Sequence, residues 1–485
     1  MSAETERPPE TAAMPNQRMP KVILFSLMAY LGMLSITQTA YGWAFMPFRW
    51  VALGILTFIS IFSWANHRDW RQGNLDYRGF PKFILFCLFS MVPSILASEN
   101  FSFSGFRWLS VALLVTTFAV FLRGILARVN SYQLIFIFKG FTLFLLLVSI
   151  FFPAPKTAYS GSIFQGAMGD PNSLGHVAFI SALIYLHGAI TSSNRKWRRI
   201  QGIIAIFSIG VMASTLARSS MTAFVVGMLL MSIFYRTSRS LLVKALIAIL
   251  LVITLASPPI YYKIFGFMEK HTTTYVESKK ITVSSEPGRM GFMPGAIMIS
   301  REALWSESWE GFLQSPLVGW GFGMNMDSPK SWVIGITAIG MTRDITNDFL
   351  FILEGCGLFG FFGYLAFVWA IWRQSPTREQ IIRIHKAIRR KQPFRPASWV
   401  RPQALGQQTR RVALPPVLSQ PPPKEGPGDR SLTQDHAHAL FYTLSVSIWV
   451  LFIFDGTCFS AGSLISAIFW MSTGITASLW AAATP

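Results

Sequence analysis

Between residues 22 and 482 the chain runs through about twelve apolar stretches, each close to the roughly 20 residues a helix needs to cross a hydrocarbon layer. Inside a bilayer every backbone N–H and C=O must be bonded within the protein, so such a chain folds as packed helices. The stretches are 22–40, 45–64, 82–98, 107–122, 133–153, 173–191, 201–217, 219–235, 241–263, 347–372, 437–454 and 462–482. Composition agrees: 52% of residues are hydrophobic, 13% are charged, and mean hydropathy is +0.43. A soluble domain of this length carries far more polar surface. The expected fold is all-α: a polytopic membrane protein of about 12 spans with one large loop between helices 9 and 10.

Orientation follows from the basic residues. With the N-terminus in the cytoplasm, 30 of the 42 Lys and Arg fall on the cytoplasmic side, among them Arg68, Arg71, Arg123, Arg195, Lys196 and Arg236. The opposite orientation places basic clusters outside in almost every short loop, against the positive-inside rule. Both termini are therefore read as cytoplasmic. The net charge of +20 arises from this topology and gives no support to nucleic-acid binding.

Four parts are expected. Residues 1–21 form a disordered cytoplasmic N-terminus, and 22–372 a transmembrane catalytic domain with an extracytoplasmic loop at about 264–346. The Pro- and Arg-rich residues 373–436 form a disordered cytoplasmic loop near anionic headgroups, and 437–485 a transmembrane hairpin. Cys87, Cys356 and Cys458 are scattered and form neither a disulfide framework nor a CxxC pattern.

The long polar loop holds the chemistry. It contains Arg289, Arg301, Glu302, Trp305 and the run Ser315-Pro-Leu-Val-Gly-Trp-Gly-Phe-Gly323. Only a few arginines face outward, and each needs a reason. Arg107 is read at the start of the fourth span, where it either snorkels to the interface or binds an anion. Arg218, between two apolar stretches with almost no loop, sits among small and hydroxyl residues that suit a polar pocket. Guanidinium forks hold phosphate bidentately and stay charged at all accessible pH. Asp170-Pro-Asn172-Ser173 either caps the sixth span or orients a substrate hydroxyl. Trp305 and Trp320 suit stacking on sugar faces and equally an interfacial belt. Gly319-Trp-Gly-Phe-Gly323 lacks the βαβ surroundings of a dinucleotide loop and is read as tight turns. Dispersed histidines and the lack of any HExxH, P-loop or GxSxG in a credible context argue against a metal site or a His-based triad. No cofactor is expected.

Taken in chain order over roughly residues 95–372, these pieces resemble the bacterial O-antigen ligase and polymerase superfamily, the Wzy-like membrane proteins. The matching elements are the Ser-rich turn before Arg107, the Asp170-Pro-Asn-Ser turn and Ala217-Arg218-Ser-Ser. They continue with Arg301-x-x-x-Trp305, the glycine run to Gly323, and Thr346-Asn347-Asp348 leading into Gly357-Leu-Phe-Gly360. The resemblance implies a bacterial inner-membrane glycosyltransferase acting on undecaprenyl-diphosphate-linked oligosaccharides at the periplasmic face, without metal. It implies that Arg218 and Arg301 engage the diphosphate. Where the ligases carry a His-Asn pair, this chain has Thr346-Asn347, a departure that favours a polymerase.

The expected reaction is thus polymerisation of lipid-linked repeats into an exopolysaccharide, capsule or O-antigen. Arg218 and Arg301, with Arg289, neutralise the leaving diphosphate. Asp170, Glu302 and Asp348 are the candidate bases, and Arg107, Asn172, Trp305, Trp320 and Asn347 substrate contacts. Partners are the lipid-linked oligosaccharide, membrane lipids and a chain-length regulator of the export system. A ligase acting on a lipid A-core or protein acceptor is the second reading. A transporter is the third, kept open by Lys139 inside the fifth span.

Overall fold

The computed structural model describes residues 18–39, 42, 45–66, 80–122, 131–152, 159–160, 163–164, 166–168, 171–192, 194–215, 217–235, 302–324, 347–389, 427–455 and 463–483. Among these the regular structure is helical apart from one two-residue ladder, Tyr159–Ser160 (β1) against Ile163–Phe164 (β2). The helices are α1 (Arg18–Thr37), α2 (Met46–Asn66), α3 (Phe80–Ser90), α4 (Val92–Ala97) and α5 (Phe101–Thr116), which runs into a π-turn at Thr117–Phe121. Then come α6 (Ser131–Phe151), α7 (Pro171–Thr191), α8 (Arg195–Ser214), α9 (Arg218–Phe234) and α10 (Glu302–Gln314). The chain continues with α11 (Asp348–Trp372), α12 (Arg378–Arg389), α13 (Pro427–Asp455) and α14 (Leu464–Ala483).

Helices fall on the apolar stretches, and seven of the segments described are long and apolar enough to cross a membrane: Pro47–Ala65, Phe80–Ala97, Phe101–Phe121, Gln133–Phe151, Asn172–Thr191, Asp348–Trp372 and Gln434–Ile453. Val22–Thr37, Ser219–Phe234 and Ile465–Leu479 are shorter apolar helices. The expected ninth span, 241–263, lies outside the described residues. Large apolar side chains such as Phe25, Phe58, Phe89, Phe136, Ile206 and Trp369 are exposed, while many serines and threonines are buried. In water this arrangement is inverted; against lipid it is the favourable one. The buried hydroxyls bond back to their own helices, as Thr57 does to Leu53 O (2.8 Å) and Thr142 to Phe138 O (2.8 Å), or across to a neighbour. Thr57 and Thr117 meet at 2.8 Å and Ser181 and Ser208 at 2.9 Å, the latter joining α7 to α8.

Nearly all of α7 is buried, between α8, α9 and α6. Packed on α3 and α13, α11 is fixed by aromatic contacts. Trp449 donates its indole N–H to Tyr364 Oη (3.1 Å), and the Phe367 and Trp470 rings lie 4.8 Å apart.

Several expected boundaries move. Asn100 caps α5, accepting from the Phe103 N–H (3.3 Å), so Arg107 stands inside that helix, not at its start. In the first terminal part, expected to be disordered, α1 already begins at Arg18. Within 373–436, expected to be a disordered loop, residues 378–389 form α12 and α13 begins at Pro427; residues 390–426 lie outside the described ones.

A capping box starts α12: the Thr377 N–H bonds Gln380 Oε1 (2.8 Å) and the Gln380 N–H bonds Thr377 Oγ1 (3.3 Å). The helix is then pinned to α13. Gln380 Nε2 reaches His438 Nδ1 at 3.1 Å, and Arg383 grips Asp435 with two bonds of 2.7 and 3.1 Å. The hydrogen bond to Asp435 is the main reason the Arg383 guanidinium is raised above its ordinary pKa. A raised arginine contributes its stabilisation everywhere below its unfolded-state pKa and loses it only in strong alkali. From pH 5 to 9 this contribution is expected to be flat. The Asp435 side chain is 4% exposed and that of Arg383 44%, so Arg383→Ala strands a buried carboxylate while Asp435→Asn leaves a neutral amide. Thermal melts are expected to show the larger loss of Tm for Arg383→Ala.

Lys139 also finds a partner in the fold. Its ammonium donates to Gln201 Oε1 (2.6 Å) and lies 5.3 Å from the centre of the Tyr185 ring.

Candidate active site around a broken helix

Asn347 starts α11, its side-chain oxygen accepting the N–H groups of Phe349 (2.9 Å) and Leu350 (3.3 Å). Asp348 follows in the first turn, where a carboxylate suits the helix dipole. The helix then breaks at Gly357, whose φ of 61° and ψ of −162° fall in a region open essentially to glycine alone. In an unbroken helix the N–H of Leu358 would bond Glu354 O and that of Phe359 would bond Gly355 O. Here these four groups turn to the glycine-rich loop instead. Leu358 N–H donates to Pro316 O (2.8 Å) and Phe359 N–H to Leu317 O (3.3 Å). Glu354 O accepts from Trp320 N–H (3.1 Å) and Gly355 O from Gly321 N–H (2.8 Å). Two donors and two acceptors freed by the break are each satisfied by the loop, the condition on which irregular backbone is tolerated inside an apolar layer.

The loop turns through positive φ at Gly319 (72°), Gly321 (119°) and Gly323 (74°). At Gly321 a Cβ would also overlap Ser98 of the turn before α5. Beyond it, Ser104 Oγ donates to Phe322 O (3.2 Å) and Arg107 Nη1 to Gly323 O. Trp320 Nε1 donates to Gly311 O of α10 (2.9 Å). The loop therefore ties together α5, α10 and the break in α11.

This placement gives several of the expected site residues partners within the fold. Arg107 and Trp320, expected as substrate contacts, each spend a polar atom on holding the loop, and Arg107 also lies 4.5 Å from the centre of the Phe103 ring. Asn347 caps a helix. Asp348 is fully buried. Trp305, partly buried on α10, leaves its indole N–H without a hydrogen-bond partner. Glu354, a fully buried acid inside α11, is not among the residues expected from the sequence. A carboxylate two turns into a 25-residue apolar helix, beyond the capping turn that holds Asp348, is the signal that could have found it.

A second group forms at the turn between α8 and α9. Arg218 is the first residue of α9, whose N-terminus carries no side-chain cap. Gly175 of α7 packs against this turn: a Cβ there would sit 2.9 Å from both Ser220 Oγ and Thr215 Oγ1. The start of α7, where Asn172 is partly buried, and the turn at Ala217–Ser220 are thereby brought side by side. Ser220 Oγ is buried without a hydrogen-bond partner. Of the other expected site residues, Asp170, Arg289 and Arg301 lie outside the described ones, as does Thr346, and Arg218 and Glu302 are described by backbone only.

No curated protein matches the chain. Residues 203–365 match a family model, Wzy_C, described as O-Antigen ligase. That interval runs from α8 through the Arg218 turn, α10 and the glycine loop to beyond the break in α11. Apolar helices and family match together point to a multi-pass membrane protein with a role in glycan ligation or polymerisation. The match supports the O-antigen ligase/polymerase superfamily for this chain through residues 203–365.

Proposed function

We propose that the chain polymerises oligosaccharide repeat units carried on undecaprenyl diphosphate, at the periplasmic face of a bacterial inner membrane. The observation that carries this reading is the uncapped N-terminus of α9, which opens on Arg218 within the family-matched region. First-turn N–H groups of a helix and an adjacent guanidinium together make a receptor for phosphate.

In the reaction, the bond between the glycan's anomeric carbon and its phosphate oxygen breaks, and a glycosidic bond forms to a hydroxyl of the next lipid-linked repeat. The hydroxyl proton passes to a carboxylate, and the lipid diphosphate leaves with the bonding electron pair. The greatest need is to stabilise that developing negative charge. Arg218 and Arg301 are assigned to it, with Arg289 in support. Asp170, Glu302 and Asp348 are the candidate bases. Asp348 can serve only once the burial of its carboxylate is relieved, which favours the other two.

In the full topology behind this reading, about twelve helices cross the membrane, both termini are cytoplasmic and the 264–346 stretch is periplasmic. A chain-length regulator is a fitting partner. The family model's own description favours a second reading, transfer of finished glycan to a lipid A-core or protein acceptor. Thr346 at the position of the ligase-type histidine tips the choice to polymerisation. A deletion strain distinguishes them through its glycans. Loss of a polymerase leaves single repeats at the surface, whereas long polymer retained on the carrier lipid means that the chain is a ligase.

A further inference from the structure

Glu354 is an acid set within a largely apolar helix. It is fully buried, and an ionisable side chain at such depth is costly enough to require a use. Its surroundings form a closed triangle. The Glu354 carbonyl accepts from the Trp320 N–H, and the Trp320 indole donates to Gly311 O. The Glu354 side chain closes the triangle by lying along Gly311: a Cβ built there would stand 2.6 Å from Oε1, 3.0 Å from Cδ and 3.1 Å from Cγ. Only a glycine lets α10 come this close, and the arm from Cγ to Oε1 occupies the space that opens.

We propose that Glu354 is the positioning residue that seats α10 on the break in α11, and so sets where Trp305 and the Trp320 loop stand against the first turn of α11. This rests on the transferase reading above. Among the described residues of the large polar stretch, α10 and the loop pack on the transmembrane helices, so their seating shapes the wall that a glycan would meet. An apolar side chain could fill the same volume. The acid adds a fixed acceptor at the seam, where Gly311 leaves room for it. Misplacing the edge of a site by about 1 Å costs on the order of 10²-fold in rate.

The test uses purified full-length protein in detergent or nanodiscs and two readouts. Amide hydrogen exchange over 302–324 reports seating without requiring any activity. Chain elongation on a lipid-linked repeat reports its consequence. Glu354→Gln and the volume-matched Glu354→Met are expected to speed exchange in 302–324, leave exchange in 464–483 unchanged, and cut the rate of elongation about 10²-fold. Gly311→Ala, whose new methyl collides with the Glu354 arm, is expected to do the same. Shortening the acid beside it, as Gly311→Ala/Glu354→Asp, is expected to restore part of both readouts, whereas Gly311→Ala/Glu354→Ala does not.

Three results overturn the proposal: Glu354→Met indistinguishable from wild type, equal rescue by Asp and Ala, or faster exchange with elongation unaltered. Should wild type itself not elongate a lipid-linked repeat, the transferase reading fails while the exchange data still decide whether Glu354 seats α10. Where Glu354→Gln yields no folded protein, the Gly311 pair of double variants carries the test by itself.

Discussion

Gly357→Ala is expected to remove folded protein from the membrane. The residue adopts φ 61° and ψ −162°, and an alanine in that region costs on the order of 1–3 kcal/mol before any contact is considered. Its methyl would also overlap the Leu317 backbone, which cannot move aside without giving up its bond to Phe359 N–H. Once the loop is displaced, Glu354 O, Gly355 O, Leu358 N–H and Phe359 N–H lose their partners. Each buried backbone group left unpaired costs about 1–3 kcal/mol. Together these terms rival the roughly 5–15 kcal/mol that holds an ordinary domain folded. Fluorescence size-exclusion of a tagged variant checks this, with aggregate or loss of signal expected. A monodisperse Gly357→Ala protein of wild-type Tm means that the loop does not hold the break.

Arg218→Ala has the opposite profile: normal protein level and no polymer. The turn it occupies packs through small residues, Ala217, Ser220 and Gly175, and the helix below is held by its own contacts with α7 and α13. Removing one preorganised group that stabilises a developing anion typically costs about 10²–10³ in kcat. Lysine keeps the charge but loses the bidentate fork, so Arg218→Lys is expected to fall between alanine and wild type. Arg301→Ala is expected to behave as Arg218→Ala does. Full-length polymer from both alanine variants would sink the assignment of the diphosphate to these arginines.

How far the sequence could be read depended on how local the determinants were. Helix positions came through because a run of apolar residues is a local property, and even the short gap at Arg218 between α8 and α9 was visible. The helix α5 starts earlier than the apolar run because Asn100 caps it ahead of that run. The polar cap and the Ile381 and Ile384 stripe of α12 lie within a stretch whose proline and arginine content argued for disorder, and composition hid a Thr377-x-x-Gln380 capping box.

The broken helix was invisible for a different reason. Residues 348–372 read as one span, and the break exists only because Pro316, Leu317, Trp320 and Gly321, more than 30 residues upstream, take over its hydrogen bonds. The glycine run was recognised as tight turns, but not as the missing half of a helix. The chemistry of Arg107 and Trp320 is visible in sequence, but their carbonyl partners at Gly323 and Gly311 are not. Glu354 is legible in the sequence as an acid inside an apolar run, but the partners that surround it, Gly311 and Trp320, are not.

The central claim is that this chain joins one lipid-linked repeat to another. Purified wild-type protein, reconstituted with a single synthetic repeat on undecaprenyl diphosphate and no other acceptor, tests it most directly. The account predicts a ladder of two, three and more repeats on the lipid, with free undecaprenyl diphosphate released in step and no ladder from Arg218→Ala. A substrate that stays a single repeat until a lipid A-core or protein acceptor is added, and is then transferred once, would contradict it.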